Sequence, residues 1–209
     1  SHSCLSKIKS FTARLPTLKQ VVIFDYASSD NNSINNSISY QEILDKYKPN
    51  EIDFERVGFD HPLYIMYSSG TTGVPKCIVH GHGGTLVQHL KEHQLQTNIS
   101  AGDRVFYFTT CSWMMWNWLV SALGTGATIM LYDGSPTYPD NIVLWRFADE
   151  EQFSHFGTSA KYIETLMKND VSPNTIFKLN NLKAICSTGS PLSAECYDCL
   201  LYTSPSPRD

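Results

Sequence analysis

The chain has 209 residues, enough for one good-sized domain or for part of a larger protein. Its hydrophobic fraction of 42% and charged fraction of 17% are those of an ordinary globular protein, which excludes a low-complexity or collagen-like chain. The 16 Lys and Arg against 20 Asp and Glu leave a net charge of −4 without the clustered positive charge of a nucleic-acid-binding surface, so no nucleic-acid partner is expected.

Taken in chain order, Leu5, Ile8, Phe11 and Leu15 have helical spacing, and Pro16 ends that predicted helix. Val21 to Tyr26 reads as a β-branched strand, and Ser28 to Ser37 as a polar, Asn-rich surface loop. A short helical patch near Ile43 to Tyr47 precedes a break at Pro49, and Leu63 to Met66 reads as a buried strand. Strands are predicted at Cys77 to His80, Arg104 to Thr109, Ala127 to Tyr132, Ser154 to Gly157 and Leu182 to Ser187. Helices are predicted at Thr85 to Gln96, Met114 to Leu123, Ile142 to Glu151 and Ala160 to Lys168. Short apolar strands alternating with helices predict an α/β fold, a mostly parallel sheet covered on both faces. From Val105 to Tyr132 no residue is charged, a length that could cross a bilayer, but Asn117 and the Gly124-Thr125-Gly126 break divide it into strand, helix and strand. No membrane span is expected. The chain opens without methionine and without a basic-then-apolar leader, so its true start is expected upstream and no secretory signal is read. The cysteines at 4, 77, 111, 186, 196 and 199 are scattered through apolar segments, which predicts buried, reduced thiols and a cytosolic compartment.

The densest chemistry follows the predicted strand at Leu63 to Met66. "YSSGTTGVPK", Tyr67 to Lys76, packs hydroxyls, two glycines, a proline and a lysine into ten positions. Gly70 and Gly73 let backbone amides approach a ligand, and successive amides in such a turn form an anion-binding concavity. Ser68, Ser69, Thr71 and Thr72 can add donors, and Lys76 a cation: the chemistry of a polyphosphate cradle. Neither the GxxxxGK[ST] nor the GxGxxG pattern fits, because Pro75 stands five after Gly70 and a strand, not a helix, follows. A polar turn with an exposed lysine has the same composition, so the residues alone leave both readings open.

This stretch resembles the phosphate-binding signature of the acyl-adenylating superfamily: acyl-CoA synthetases, luciferases and nonribosomal-peptide adenylation domains. With "TTCSWMMWNWLVSALGTGA", "MLYDGSP" and "STGSPL", the region from about Leu15 to about Cys199 is similar to the acetoacetyl-CoA synthetase branch of that family. The resemblance implies layered, mostly parallel sheets flanked by helices, the partial N-terminal domain of an acyl-adenylating enzyme. It implies a carboxylic acid, here acetoacetate, activated by ATP with Mg2+ and passed to coenzyme A as co-substrate. Ser68, Ser69, Gly70, Thr71, Thr72, Gly73 and Lys76 would hold the ATP phosphates. Gly189, Ser190 and Pro191 would line the adenine, at a turn beyond a strand end where ligands of parallel sheets sit. Trp113, Met114 and Met115 would wall the acyl pocket, their bulk suiting a four-carbon acid, although an aromatic-rich helix also packs well in a core.

Residues 1–199 are therefore expected to be part of an AMP-binding domain, and residues 200–209, "LYTSPSPRD" with the preceding leucine, to lie outside the likeness. No segment matches the family's magnesium-associated acid, ribose-gripping aspartate, hinge or mobile C-terminal domain with its adenylation lysine. No catalytic residue and no metal ligand is assigned within this chain, which is expected not to turn over by itself. His89-Leu90-Lys91-Glu92-His93 also matches the inverted zinc-peptidase pattern HxxEH, with both histidines on one helix face. A non-catalytic nucleotide-binding product, or a synthetase for another short acid, remains open as an alternative.

Overall fold

Val21, Val22 and Ile23 are stiff at χ1 and suit a pleated surface, and they form the first strand, β1 (Val21–Ile23). The computed structural model describes residues 5–12, 14–24, 34–67 and 74–197. It divides into two units, one up to Arg56 and one from Val57. In the first unit, helix α1 (Leu5–Thr12) precedes β1, which pairs in parallel with β2 (Ser37–Ser39). The sequence reads Ser37 as loop. It becomes strand because Val22 sets its register against Ile38 while Ile34, just upstream, is buried. Residues 28–33 of the expected loop lie outside the described residues. Helix α2 (Tyr40–Lys46) starts on a capping box: Ser39 Oγ accepts from the Glu42 amide at 3.0 Å, and the Glu42 carboxylate accepts from the Ser39 amide at 2.8 Å.

The second unit opens with β3 (Pro62–Tyr67) and β4 (Cys77–Gly81), paired antiparallel with Tyr67 opposite Cys77. This corrects two expectations. The pair is a hairpin, not part of the parallel sheet, and β3 is partly buried on one face only. Leu63, Ile65 and Tyr67 face outward, 42%, 57% and 69% exposed, while Tyr64 and Met66 alternate inward. A two-stranded ribbon has only one face to pack, so the apolar run that reads as a fully buried strand is a one-sided one.

Helix α3 (His82–Lys91) begins three residues before its predicted start, because the His82 and Gly83 amides donate to the His61 and Phe59 carbonyls at 2.9 and 2.8 Å. Past Lys91 the helix widens into a π-turn (Glu92–Gln96), closed by the Thr97 amide on the Glu92 carbonyl.

A four-stranded parallel sheet follows, β5 (Arg104–Tyr107), β6 (Thr128–Met130), β7 (His155–Ser159) and β8 (Ala184–Thr188), in the order β6-β5-β7-β8. Helix α4 (Met114–Ser121) joins β5 to β6 and α5 (Val143–Glu150) carries the chain back across β5 to β7. Helices α6 (Ala160–Lys168) and α7 (Pro173–Ile176) lead to β8. Alternation along β5 sends Val105 and Tyr107 to one face and Phe106 to the other. Trp118 and Leu119 of α4 cover the first face with Ile99, Ala122 and Ala127. Leu144, Trp145 and Ala148 of α5, with Tyr162 and Leu166 of α6, cover the second. There Trp145 stacks on Phe156 at 4.2 Å, and Phe106 packs between Phe153 and Phe156. The uncharged run from Val105 to Tyr132 is thus the strand, helix and strand of β5, α4 and β6, and among the described residues no helix is long and apolar enough to cross a membrane.

The thiols depart from the expectation. Cys196 is buried and Cys186 half-buried, but Cys77 and Cys111 are exposed, and all four are free. Cys77 borders the signature loop on an open hairpin, and Cys111 lies in the turn before α4. Cys4 and Cys199 lie outside the described residues.

At the amino-terminal edge of the sheet, Asp103 is buried and accepts from Lys183 Nζ at 2.6 Å, the Ser100 amide at 2.8 Å and Ser100 Oγ at 3.1 Å. Burial pushes its pKa up, but the Lys183 ammonium and the Ser100 and Ser154 donors outweigh that and hold it at about 2, below the ordinary 3.8. A depressed carboxylate stabilises the fold fully above the unfolded value near 3.8, and the contribution is lost as pH falls through the folded value near 2. Asp103→Asn is expected to lower unfolding free energy by about 2 kcal/mol near neutral pH. In urea melts the difference from the unsubstituted chain should shrink between pH 4 and 2; a difference constant across that window would sink the assignment.

Candidate nucleotide-binding site

The strand order reverses between β5 and β7: the chain leaves β5 towards β6, then returns to build β7 and β8 on the other side. Ligands of open α/β sheets sit beyond the carboxyl ends of the strands at such a reversal. Two contacts close the edge there. The Phe108 amide donates to the Gly157 carbonyl at 2.9 Å, and the Tyr107 hydroxyl donates to the Thr158 carbonyl at 3.2 Å. Burial drives the Tyr107 phenol far above its ordinary pKa, so it stays protonated as a donor. Beside it, Thr158 Oγ1 is buried without a hydrogen-bond partner among the described residues, at the very edge where a ligand would arrive.

Beyond the end of β8, Gly189 takes a left-handed φ of 93°, which an L side chain adopts only with strain, and an added Cβ would meet nothing within 4 Å. The turn is therefore glycine for its backbone and leaves open space above the strand end. Ser190 and Pro191 are exposed there. These are the residues assigned to adenine from the resemblance, and they stand one strand away from the reversal.

Of the phosphate-loop residues, Ser68, Ser69, Gly70, Thr71, Thr72 and Gly73 lie outside the described residues. Their flanks are described. Tyr67 ends β3, Cys77 starts β4, and the two are register partners, so the signature bridges the open end of a hairpin. Lys76 is exposed immediately before β4.

The three acyl-wall candidates have different surroundings. Trp113, the residue before α4, is 68% exposed, and Met115 packs against the core face that α4 covers. Met114 lines a cavity of about 380 Å³ with Val79, His80, Gly81, Gly84, Thr85, Gln88, His89 and Glu92. Sequence reasoning missed the polar residues of this cavity. The signal was present as His89 and Glu92 of the HxxEH stretch, whose match to a metal motif was noted without a metal ligand being assigned.

The structure gives that stretch other partners. Glu92 Oε2 accepts from the Trp118 indole at 3.2 Å and Oε1 from Gln88 Nε2 at 2.6 Å. His93 is fully buried, shares a 2.9 Å hydrogen bond between Nε2 and Ser121 Oγ, and packs on Trp118 at 4.3 Å. Among the described residues no three His, Cys, Asp or Glu side chains converge as a metal site would require. His89 and His93 are both held below the ordinary imidazole pKa, chiefly by burial.

Comparison with known proteins agrees with this architecture. A family model described as AMP-binding enzyme matches residues 1–205. The chain is 47% identical over 204 residues to an acetoacetyl-CoA synthetase of Gallus gallus, covering 94% of this chain and 31% of that protein. It is 40% identical over 214 residues to the malonamoyl-CoA synthetase vrtB of Penicillium aethiopicum, covering 92% of this chain and 30% of that protein. The solved acetoacetyl-CoA synthetase from Streptomyces lividans superposes with a TM-score of 0.82 at 38% identity, over 94% of this chain and 30% of that one. The chain thus spans about a third of the length of these relatives. With a family match along nearly its whole length and parallel strands flanked by helices, the chain belongs to the AMP-binding enzyme family.

Proposed function

We propose that the full-length protein is an acetoacetate–CoA ligase, forming acetoacetyl-CoA, AMP and pyrophosphate from acetoacetate, ATP and coenzyme A. The observation that carries this reading is the 47% identity over 204 residues to a protein named acetoacetyl-CoA synthetase. A carboxylate is a poor acyl donor because its leaving group is oxide. In the first step a carboxylate oxygen of acetoacetate bonds to the α-phosphorus of ATP, and the bond to pyrophosphate breaks. In the second the thiol sulfur of coenzyme A bonds to the acyl carbon, AMP leaves with the electron pair, and the thiol proton goes to solvent.

Charge builds on the phosphates in the first step, so preorganised donors and a cation there lower its barrier. In this reading Ser68, Ser69, Gly70, Thr71, Thr72, Gly73 and Lys76 hold the phosphates, Gly189, Ser190 and Pro191 border the adenine, and Met114 limits the acyl cavity with Trp113 and Met115 at its margin. Mg2+ enters as part of the MgATP substrate, bound to phosphate oxygens. Free thiols at Cys77 and Cys111 suit a reducing compartment, and we place the protein in the cytosol, where acetoacetyl-CoA made from a ketone body feeds lipid synthesis.

The malonamoyl-CoA synthetase relative supports a second reading, a synthetase for a related short acid. Both acyl groups, acetoacetyl and malonamoyl, carry a second carbonyl two carbons from the first. ATP–pyrophosphate exchange by the full-length protein with acetoacetate, malonamate, acetate, propionate and butyrate decides between the two. Acetoacetate is expected to give the highest kcat/KM; a higher value with any of the others overturns the reading. The 209-residue chain, about a third of its relatives, is expected to give no acetoacetate-dependent exchange by itself.

A further inference from the structure

The cavity beside Met114 is mostly apolar but has polar side chains in its lining, and a saturated short acid has no use for those polar atoms. Val79, Met114 and the Gly81 and Gly84 backbones supply contact surface, whereas His80, Thr85, Gln88, His89 and Glu92 supply polar atoms. Leaving such atoms without partners beside a bound hydrocarbon tail is costly.

Most of them are already engaged. Both Glu92 oxygens accept, from Gln88 and from the Trp118 indole. The Thr85 hydroxyl pairs with Tyr64, and the His80 ring packs on the Tyr64 ring at 5.2 Å. His89 is different. It is only 8% exposed, its ring meets the His93 ring edge-on at 6.3 Å, and it makes no hydrogen bond with a described residue. Burial lowers its pKa, and the favourable pull of Glu92 does not reverse this. At neutral pH the ring therefore keeps one N–H donor and one lone pair.

We propose that His89 is a specificity-determining residue whose ring N–H donates to the second carbonyl of a 3-oxo acyl substrate. A neutral donor suits the task. It can hold a ketone oxygen, whereas an imidazolium would attract the carboxylate and turn the acid end for end, away from the phosphates. The hydrogen bond also supplies discrimination that apolar walls cannot, because a site built to pair with an oxygen rejects the analogue lacking it far better than a pocket rejects a missing methylene. The inference rests on the ligase reading above and names the residue behind its choice of acid.

The test compares acetoacetate with butyrate, which differ at that carbonyl, by ATP–pyrophosphate exchange on the full-length protein. His89→Leu is expected to reduce the ratio of their kcat/KM values by about tenfold to a hundredfold, and His89→Gln, which keeps an N–H donor, to recover part of it. If His89→Leu fails to fold, His89→Phe fills the space without a donor and carries the same expectation. A ratio within twofold of the unsubstituted protein, or a parallel loss with both acids, overturns the inference alone. An unsubstituted protein that does not favour acetoacetate over butyrate overturns both the inference and the ligase reading.

Discussion

Lys76→Ala in the full-length protein is expected to lower the kcat of acetoacetate-dependent ATP–pyrophosphate exchange by about 10²–10³-fold, the loss typical of removing one preorganised donor from a developing anion. The lysine occupies the last position before β4, on the side of the hairpin where Tyr67 and Cys77 pair. Strand pairing fixes the backbone on both sides of the signature, so the ammonium is delivered from a defined point. Exchange is the suitable measurement because it isolates the step in which charge moves from the α-phosphorus to pyrophosphate. Lys76→Arg keeps the charge but replaces a compact point charge with a planar fork, and is expected to fall between the two. A Lys76→Ala protein that exchanges within threefold of the unsubstituted one would remove Lys76 from the phosphate site. The signature would then be a polar turn, the reading its composition also allows.

Gly157→Ala is expected to destabilise the fold by about 2–3 kcal/mol, the upper range for overpacking a filled core. A Cβ at Gly157 would lie 2.5 Å from Cγ and Cε2 of Tyr107 and closer still to Cδ2. That ring cannot retreat: Tyr107 is 5% exposed, packs edge-on to Trp118 at 6.0 Å, and has its hydroxyl tied to the Thr158 carbonyl. Gly83 supplies the internal control. A Cβ there would strike the Phe59 ring just as hard, but Phe59 is 62% exposed and can swing into solvent. Gly83→Ala, in the first turn of α3, is therefore expected to cost less than about 1 kcal/mol, because an exposed ring can move out of the way. Thermal unfolding of the two variants side by side measures the contrast. Equal losses would mean that local backbone demands, not the Tyr107 ring, explain the glycine at position 157.

Much of this architecture is legible in the residues. The alternation of short apolar strands with helices from Val105 onward predicts β5, α4, β6, α5, β7, α6 and β8 nearly in their places, because each element buries its apolar face and so carries the period of its own geometry. The likeness of "YSSGTTGVPK" to a phosphate loop pointed to the family that the matched residues 1–205 then showed. What escaped the sequence was pairing. Nothing in Leu63 to Met66 says whether the next strand returns antiparallel, and an apolar run looks the same in a ribbon with one packed face as in a sheet with two. Ser37 ends a polar stretch and became strand through the register of β2 with β1. The π-turn after Lys91 is invisible to a periodicity argument, since one added residue per turn leaves the composition unchanged. It is explained only by what His93 and Glu92 reach: Ser121 and Trp118, both more than twenty residues further along. For the same reason the cavity residues were not recognised as a site, as spacing on one helix cannot show that a second helix stands opposite.

The two cores on opposite faces of the four-stranded sheet have a consequence for how such a protein can change over generations. The cluster around Trp145, Phe153 and Phe156 packs α5 and α6, and none of the proposed acyl-side residues belongs to it. The smaller cluster carries α4, at whose start Trp113, Met114 and Met115 stand. The two clusters have no residue in common, and sites without shared partners act nearly additively. Drift towards a new acid can therefore accumulate along α4 and α3 while the aromatic stack behind the sheet keeps the domain folded. A lineage can explore substrates on one side of β5 without reopening the question of stability on the other.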